Sequence, residues 1–394
     1  MKTKILFVDD EILVLRGLKR SLQSMQKDAE MYFVSSGQEA LDLMAIAPCD
    51  VVISDMRMPG LNGAELLEQI KQRYPQTVRF ILSGHSDDEL ILRSVKSTHQ
   101  FLSKPCDPVD FKERLALILT RGGLQNIRVN QILSEVGILP SAPALYQKVL
   151  ITLGDRDAGI SKVADTISQD IAMTATILKL VNSSYFGLSQ VLTSAIEATN
   201  YLGLETIRAL VLGVGAFTSF EGTDFEDRAL QELWRHSLKT AFAAKAIALA
   251  ETLDTRLAAD CFTAGLLHDI GKLALSSHFS EKRQQVIRYS TAEQTTLLNS
   301  ERQIFGADHT EIGAALLSRW GLPKALIDAA AYHHAPAQAE YGSDLSLPFV
   351  HAANVLVHLQ SPSDEPFYRD ELDWDYLTKI GLNEHVDQWS RLCK

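Results

Sequence analysis

Short apolar runs separated by helix-length segments mark the first hundred residues. Lys4-Ile5-Leu6-Phe7-Val8 stops at Asp9-Asp10, and Val51-Val52-Ile53-Ser54 stops at Asp55. Phe80-Ile81-Leu82 stops at Ser83, and Phe101-Leu102-Ser103 stops at Lys104-Pro105. Unbroken apolar runs with this spacing predict buried parallel strands of an α/β sheet. A doubly wound parallel five-stranded fold is expected over residues 1–121. The carboxyl ends of such strands open onto one crevice. The pattern therefore predicts that Asp9, Asp10, Asp55, Ser83 and Lys104 meet there.

Beyond residue 122 the period changes. Gly122-Gly123 supplies a break, and 122–135 reads as a linker with a short amphipathic helix through Ile127, Ile132 and Leu133. Pro140 and Pro143 mark a fresh start. From there to about 360 the pattern is helical, as in Ile171-Ala175-Leu178-Val181 and the alanine-rich stretch 240–253. An all-helical domain is expected over 136–394. Ser361–Asp375 reads as a surface loop, and Trp374 through Leu392 as a closing helix.

Composition narrows the function classes. At 394 residues the chain is long for one domain. No apolar stretch approaches the roughly 20 residues a membrane span needs. The first residues run straight into a strand, without the apolar core of a signal peptide. Four cysteines, none in CxxC spacing, read as reduced thiols of a cytoplasmic protein. A net charge of −11 with dispersed lysine and arginine argues against nucleic-acid binding.

Two groups of residues carry candidate chemistry. Three carboxylates brought together repel one another unless a hard cation sits among them, and Mg²⁺ on Asp9, Asp10 and Asp55 fits. Asp55 can then attack a phosphoryl group, with Ser83 and Lys104 neutralising the transferring oxygens. The second group lies in the helical half, which holds nine of the eleven histidines. There Gly265-Leu266-Leu267-His268-Asp269-Ile270-Gly271-Lys272 stands amid His236, His309 and His333-His334. Imidazole with carboxylate suits a divalent transition metal, and a metal-bound water could hydrolyse a phosphoester. Lys272 is placed to reach a bound phosphate.

The first set resembles the receiver domain of two-component response regulators. The resemblance includes Asp55-Met56-Arg57-Met58-Pro59-Gly60, Asn62-Gly63 and Lys104-Pro105, with Phe101 at the family's aromatic switch position. It implies phosphorylation of Asp55 by a cognate sensor histidine kinase. The helical half resembles the HD superfamily of phosphohydrolases, and more closely its HDOD branch over roughly 134–360, with an HD-like subregion at about 230–360. Leu139-Pro140-Ser141-Ala142-Pro143, Ser168–Thr174 and Leu178-Lys179-Leu180-Val181-Asn182-Ser183 carry that resemblance. Two departures stand out. Asn354 occupies the place of a late metal-binding Asp, and His333-His334-Ala335-Pro336 lacks the Gly-Tyr-Pro run of the cyclic-di-GMP-hydrolysing branch. Two readings stay open. One is a non-catalytic output that binds an unidentified downstream protein, with a homodimer as one form of output. The other is a metal-dependent phosphohydrolase acting on a nucleotide or cyclic dinucleotide. The departures lean toward the first, and a DNA-binding output is disfavoured because no helix-turn-helix lies on a basic surface.

Overall fold

A computed structural model describes residues 2–83, 94, 97–104, 108–121, 124, 126–136, 139–141, 148–149, 151–152, 159–182, 191–208, 218–219, 228–339, 345–360 and 371–393. Five parallel strands, β1 (Thr3–Val8), β2 (Ala29–Val34), β3 (Val51–Asp55), β4 (Val78–Ser83) and β5 (Gln100–Ser103), form one sheet. Their order is β2-β1-β3-β4-β5. The expected doubly wound fold is present.

Alternate side chains on each strand enter different cores, as the pleat requires. Ile5, Phe7, Ile53, Phe80 and Leu102 pack with helix α1 (Ile12–Ser21) and helix α4 (Pro108–Arg121). Leu6, Val8, Val52, Ile81 and Phe101 face helices α2 (Gly37–Ile46) and α3 (Gly63–Arg73) in a cluster that continues into the helical half. Every residue of β3 and β4 is buried. Helix α3 starts with a capping box: Asn62 accepts from the Glu65 amide, and Glu65 accepts from the Asn62 amide. A Cβ on Gly63 would fall 2.1 Å from the Asp55 carbonyl oxygen, so only glycine lets this helix start against the end of β3.

The segment expected as a linker contains α5 (Ile127–Glu135). Its Val129, Ile132 and Leu133 are buried in the helical domain's core, whereas Ile127 is exposed. Gly122-Gly123, Pro143, Ser183 and residues 361–370 lie outside the described residues. A two-residue parallel pairing of β6 (Pro140–Ser141) with β7 (Thr218–Ser219) is a strand element that the helical pattern did not reveal. Helices α6 (Ile160–Ile167), α7 (Ile171–Val181) and α8 (Ala195–Arg208) precede the long α9 (Arg228–Thr252). Then follow α10 (Thr255–Leu267), α11 (Ile270–His278), α12 (Ser280–Glu293), α13 (Leu297–Phe305), α14 (His309–Arg319), α15 (Lys324–Tyr332) and α16 (Leu347–Gln360). The expected closing helix is two short ones, α17 (Trp374–Lys379) and α18 (Val386–Leu392), separated near Gly381 at φ +76°. Among the described residues no helix is long and apolar enough to cross a membrane.

The two halves are joined through β5 and α4. Gln100 Nε2 donates to the Ser318 carbonyl at 3.1 Å, and Lys179 Nζ donates to the Thr98 carbonyl at 2.6 Å. Arg114 of α4 donates to the Asn182 carbonyl at 3.4 Å, and Arg319 donates to Asn130 Oδ1 of α5 at 2.8 Å. Gly321, at φ +69°, makes room for the Gln100 amide, which a Cβ there would meet at 2.7 Å.

Candidate functional site

The carboxyl ends of the strands bring the first group together. Lys104 Nζ lies 2.6 Å from Asp9 Oδ2 and 2.6 Å from Asp55 Oδ1. Asp9 is fully buried, Asp55 nearly so, and Asp10 is exposed at the rim. One carboxylate oxygen from each of the three lies within 4.8 Å of the others. Asp9 Oδ1 also accepts the Glu11 amide at 2.9 Å, which holds that carboxylate in place. Burial pushes the Asp55 carboxyl above its ordinary range, despite the ammonium beside it. Burial alone would lower the Lys104 pKa, but hydrogen bonds to Asp55 and Asp9 outweigh it and raise it. The Ser83 hydroxyl is buried without a hydrogen-bond partner. A buried unsatisfied hydroxyl costs about 1–3 kcal/mol, so this one is placed for an acceptor that a phosphoryl oxygen would supply. Three oxygen donors of this charge suit Mg²⁺.

The second group lies in the helical core. His268 and Asp269 are at the junction between α10 and α11, not within one helix as the sequence pattern suggested. His309 is the first residue of α14, and His333 caps the end of α15. Helix ends place these side chains side by side, where a mid-helix position would spread them around a cylinder. The capping box of Asp308 with Glu311 fixes the start of α14 at His309.

Asp269 is the hub. Its Oδ1 lies 3.4 Å from His309 Nε2 and 3.5 Å from His333 Nε2. Its Oδ2 lies 3.0 Å from Lys272 Nζ, 3.3 Å from His268 Nε2 and 3.9 Å from His236 Nε2. Lys272 thus faces this carboxylate in the pocket. Burial would raise the Asp269 pKa, but His268 and Lys272 outweigh it and hold the carboxyl well below its usual range. Burial pushes His236 and His333 well below the ordinary imidazole value.

The outer nitrogens of the histidines are anchored. His268 Nδ1 donates to the Gly265 carbonyl at 2.7 Å, and His333 Nδ1 is 3.1 Å from the Ala329 carbonyl. Their Nε2 atoms, and both Asp269 oxygens, are buried with no hydrogen bond of good geometry. His268 Nε2 and His333 Nε2 both face the Asp269 carboxylate, so imidazole nitrogens and a buried anion converge on one place that a cation could share. The donor set, imidazoles with one carboxylate, suits a divalent transition metal.

Three contributors escaped the sequence pattern. Glu301 Oε2 accepts His309 Nδ1–H at 2.7 Å and the His309 amide at 2.9 Å. Nothing in the sequence marks a glutamate eight positions away on a different helix. His358 packs against His236 with ring centroids 3.9 Å apart and the planes tilted by 50°, and His351 Nδ1 donates to the His333 carbonyl at 2.7 Å. Their spacing with Asn354 along α16 is the signal that could have found them. Asn354 enters the same pocket, its Oδ1 accepting from His236 Nε2 at 2.9 Å.

A sheet with converging acidic strand ends, coupled to a helical domain with a His-Asp core, defines a two-domain signalling architecture. The response regulator receiver domain model matches residues 5–116, and the HDOD domain model matches residues 139–336. The chain belongs to the HDOD family and carries an N-terminal receiver domain, an arrangement that makes it a response regulator with an HDOD output.

An uncharacterised protein of Treponema pallidum is 30% identical over 203 residues, 52% of this chain and 39% of that protein. The hydrogenase transcriptional regulatory protein HoxA of Cupriavidus necator is 34% identical over 146 residues, 36% of this chain and 29% of HoxA. The DNA-binding transcriptional regulator NtrC of Klebsiella pneumoniae is 36% identical over 112 residues, 28% of this chain and 23% of NtrC. This chain therefore spans well under half the length of these curated relatives. Among solved structures, the MmoQ response regulator of Methylococcus capsulatus is 25% identical, with 65% of this chain and 93% of that one covered at a TM-score of 0.48. An HDOD domain protein of unknown function from Geobacter sulfurreducens is 26% identical, with 69% and 89% covered at a TM-score of 0.39.

Proposed function

We propose that this response regulator accepts a phosphoryl group on Asp55 from a sensor histidine kinase and signals through its HDOD domain by binding a downstream protein in the cytoplasm. The observation that carries the first half is Lys104 bridging Asp9 and Asp55 at 2.6 Å each, beside the unsatisfied Ser83 hydroxyl. Asp55 is the nucleophile in this reading because it ends the central strand β3, between the strand ends that carry Asp9 and Ser83. Lys104 and Ser83 then receive the phosphoryl oxygens, one by charge and one by hydrogen bond. Mg²⁺, held by Asp9, Asp10 and Asp55, would supply neutralisation of the anionic oxygens when bound.

A partner-binding output is favoured over hydrolysis by Asn354, whose amide takes the His236 nitrogen. The competing reading, a metal-dependent phosphohydrolase acting on a nucleotide or cyclic dinucleotide, is favoured by the convergence of His268, His309 and His333 on the buried Asp269. DNA binding by NtrC is not carried over, since 23% of that protein is matched and this chain has a net charge of −11. Metal content of the purified chain, followed by a phosphodiesterase assay, separates the two outputs. Turnover that disappears in His268→Ala would establish the enzyme.

A further inference from the structure

The long helix α9 is apolar on two sides. Its Ala241, Ala244, Ile247 and Ala248 are buried in the helical core. Away from that core Phe242 is 54% exposed, Leu249 is 38% exposed, and Leu253, just past the helix end, is 83% exposed. We infer that this second side is a self-association surface, on which two copies of the chain pair their α9 helices antiparallel about a two-fold axis at Ala246.

Spacing defines the surface. Lys239, Phe242, Ala246, Leu249 and Leu253 recur at intervals of three and four residues. That is the period of a seam between two helices, and a helix that only roofs its own core needs no second stripe. The small Ala246 at the middle lets two helix axes approach closely. Phe242 meets Phe262 of α10 edge-on, with ring centroids 5.1 Å apart, which holds its ring on the surface.

Leu253 is the residue that a single copy does not account for. Its φ is +55°, in the left-handed region where helix ends favour glycine or asparagine. A leucine there strains the backbone. At 83% exposure its side chain gains little burial within the chain to offset that strain. Contact with a second copy supplies the burial.

Charge sets the direction. Exposed Arg235, Lys239 and Lys245 lie along α9, and exposed Asp254 follows its end. A parallel pair would set Lys239 against its own copy. The antiparallel pair sets Phe242 against the second copy's Leu249, and Lys239 against the second copy's Leu253 and Asp254. The Lys239 stem then covers leucine while its ammonium reaches the carboxylate. The surface is therefore self-complementary, as a two-fold contact requires. Three large side chains per copy place it at the small end of specific interfaces, so association of micromolar strength is expected.

The test follows the full, unphosphorylated chain by sedimentation equilibrium between about 1 and 200 μM, a range that brackets such an affinity. A monomer–dimer equilibrium is expected. Phe242→Arg should weaken it at least about tenfold. Asp254→Asn keeps the cap on α10 but removes the charge, so it should weaken the dimer more at low salt than at high salt. Ala246→Cys should yield an oxidised dimer whose disulfide joins the two introduced thiols, as mapped by mass spectrometry. Leu253→Gly discriminates best: its thermal midpoint as a dilute monomer should rise by about 1–3 °C while its dimer weakens. A leucine that merely braced its own fold would lower the midpoint on removal. A chain that stays monomeric throughout, a dimer indifferent to Phe242→Arg, or a Leu253→Gly variant with a lowered midpoint or an unchanged dimer would overturn the inference.

Discussion

Gln100 Nε2 donates to the Ser318 carbonyl at 3.1 Å, linking the receiver's last strand to the helix that begins with His309. On one side of this bond, β5 carries Phe101 and leads to Lys104. On the other, α14 runs straight back to the histidine pocket, its first turn pressed against Gly271. One helix thus spans from the receiver domain to the His-Asp cluster.

Asp55→Asn should abolish labelling by acetyl phosphate or a kinase while the fold persists. On the proposed reading Asp9 and Asp10 would hold the cation, so neither should substitute as acceptor. Intact-mass spectrometry checks this, and labelling that survives in Asp55→Asn would count against the assignment.

A phosphoryl group on Asp55 would give the Ser83 hydroxyl an acceptor, and Phe101 of β5 should shift with it; the loop after Ser83 lies outside the described residues. The face formed by β5 and α4 should then change its contacts with the HDOD half. Hydrogen exchange with and without a phosphoryl mimic should differ at β5 and in the last turn of α14. Gln100→Ala should diminish the α14 difference; identical exchange in all four samples would refute the route.

Lys179 supplies a pH dependence. Burial, with Arg79 and Lys71 nearby, lowers its pKa to about 7. The unfolded chain keeps this amine protonated up to about 10.4. Between about pH 7 and 10 the unfolded state therefore binds more protons, and stability from this group rises with pH. Below pH 7 both states are protonated and the contribution is flat. Lys179→Met should remove this rise, as read by denaturant titrations at pH 7 and pH 9.

Gly271→Ala places a methyl 2.0 Å from the His309 carbonyl oxygen and 2.8 Å from the Gly313 amide nitrogen. Backbone atoms cannot swing aside as a side chain can, so α11 and α14 must separate. A loss of about 1–3 kcal/mol is expected, measured as a lower thermal midpoint. An unchanged midpoint would show that the two helices are not held in this contact.

Four of the five strands were legible because a buried parallel strand must be apolar on both faces, and its end is where the polarity returns; β2, largely half-buried, carries no such run. That rule brought out Asp9, Asp55, Ser83 and Lys104 without coordinates. The His-Asp pocket was legible in part, because His268-Asp269 and His333-His334 are adjacent in the chain.

What the sequence alone determined is therefore whatever a repeat period or a neighbouring residue encodes: the sheet, the helical half, and the types of ligand. Only the tertiary structure decided which atoms meet. It assigned Lys272 to Asp269, Glu301 to the back of His309, and α5 to the helical core. Each of these depends on how separate helices pack, and packing distances leave no periodic trace along the chain.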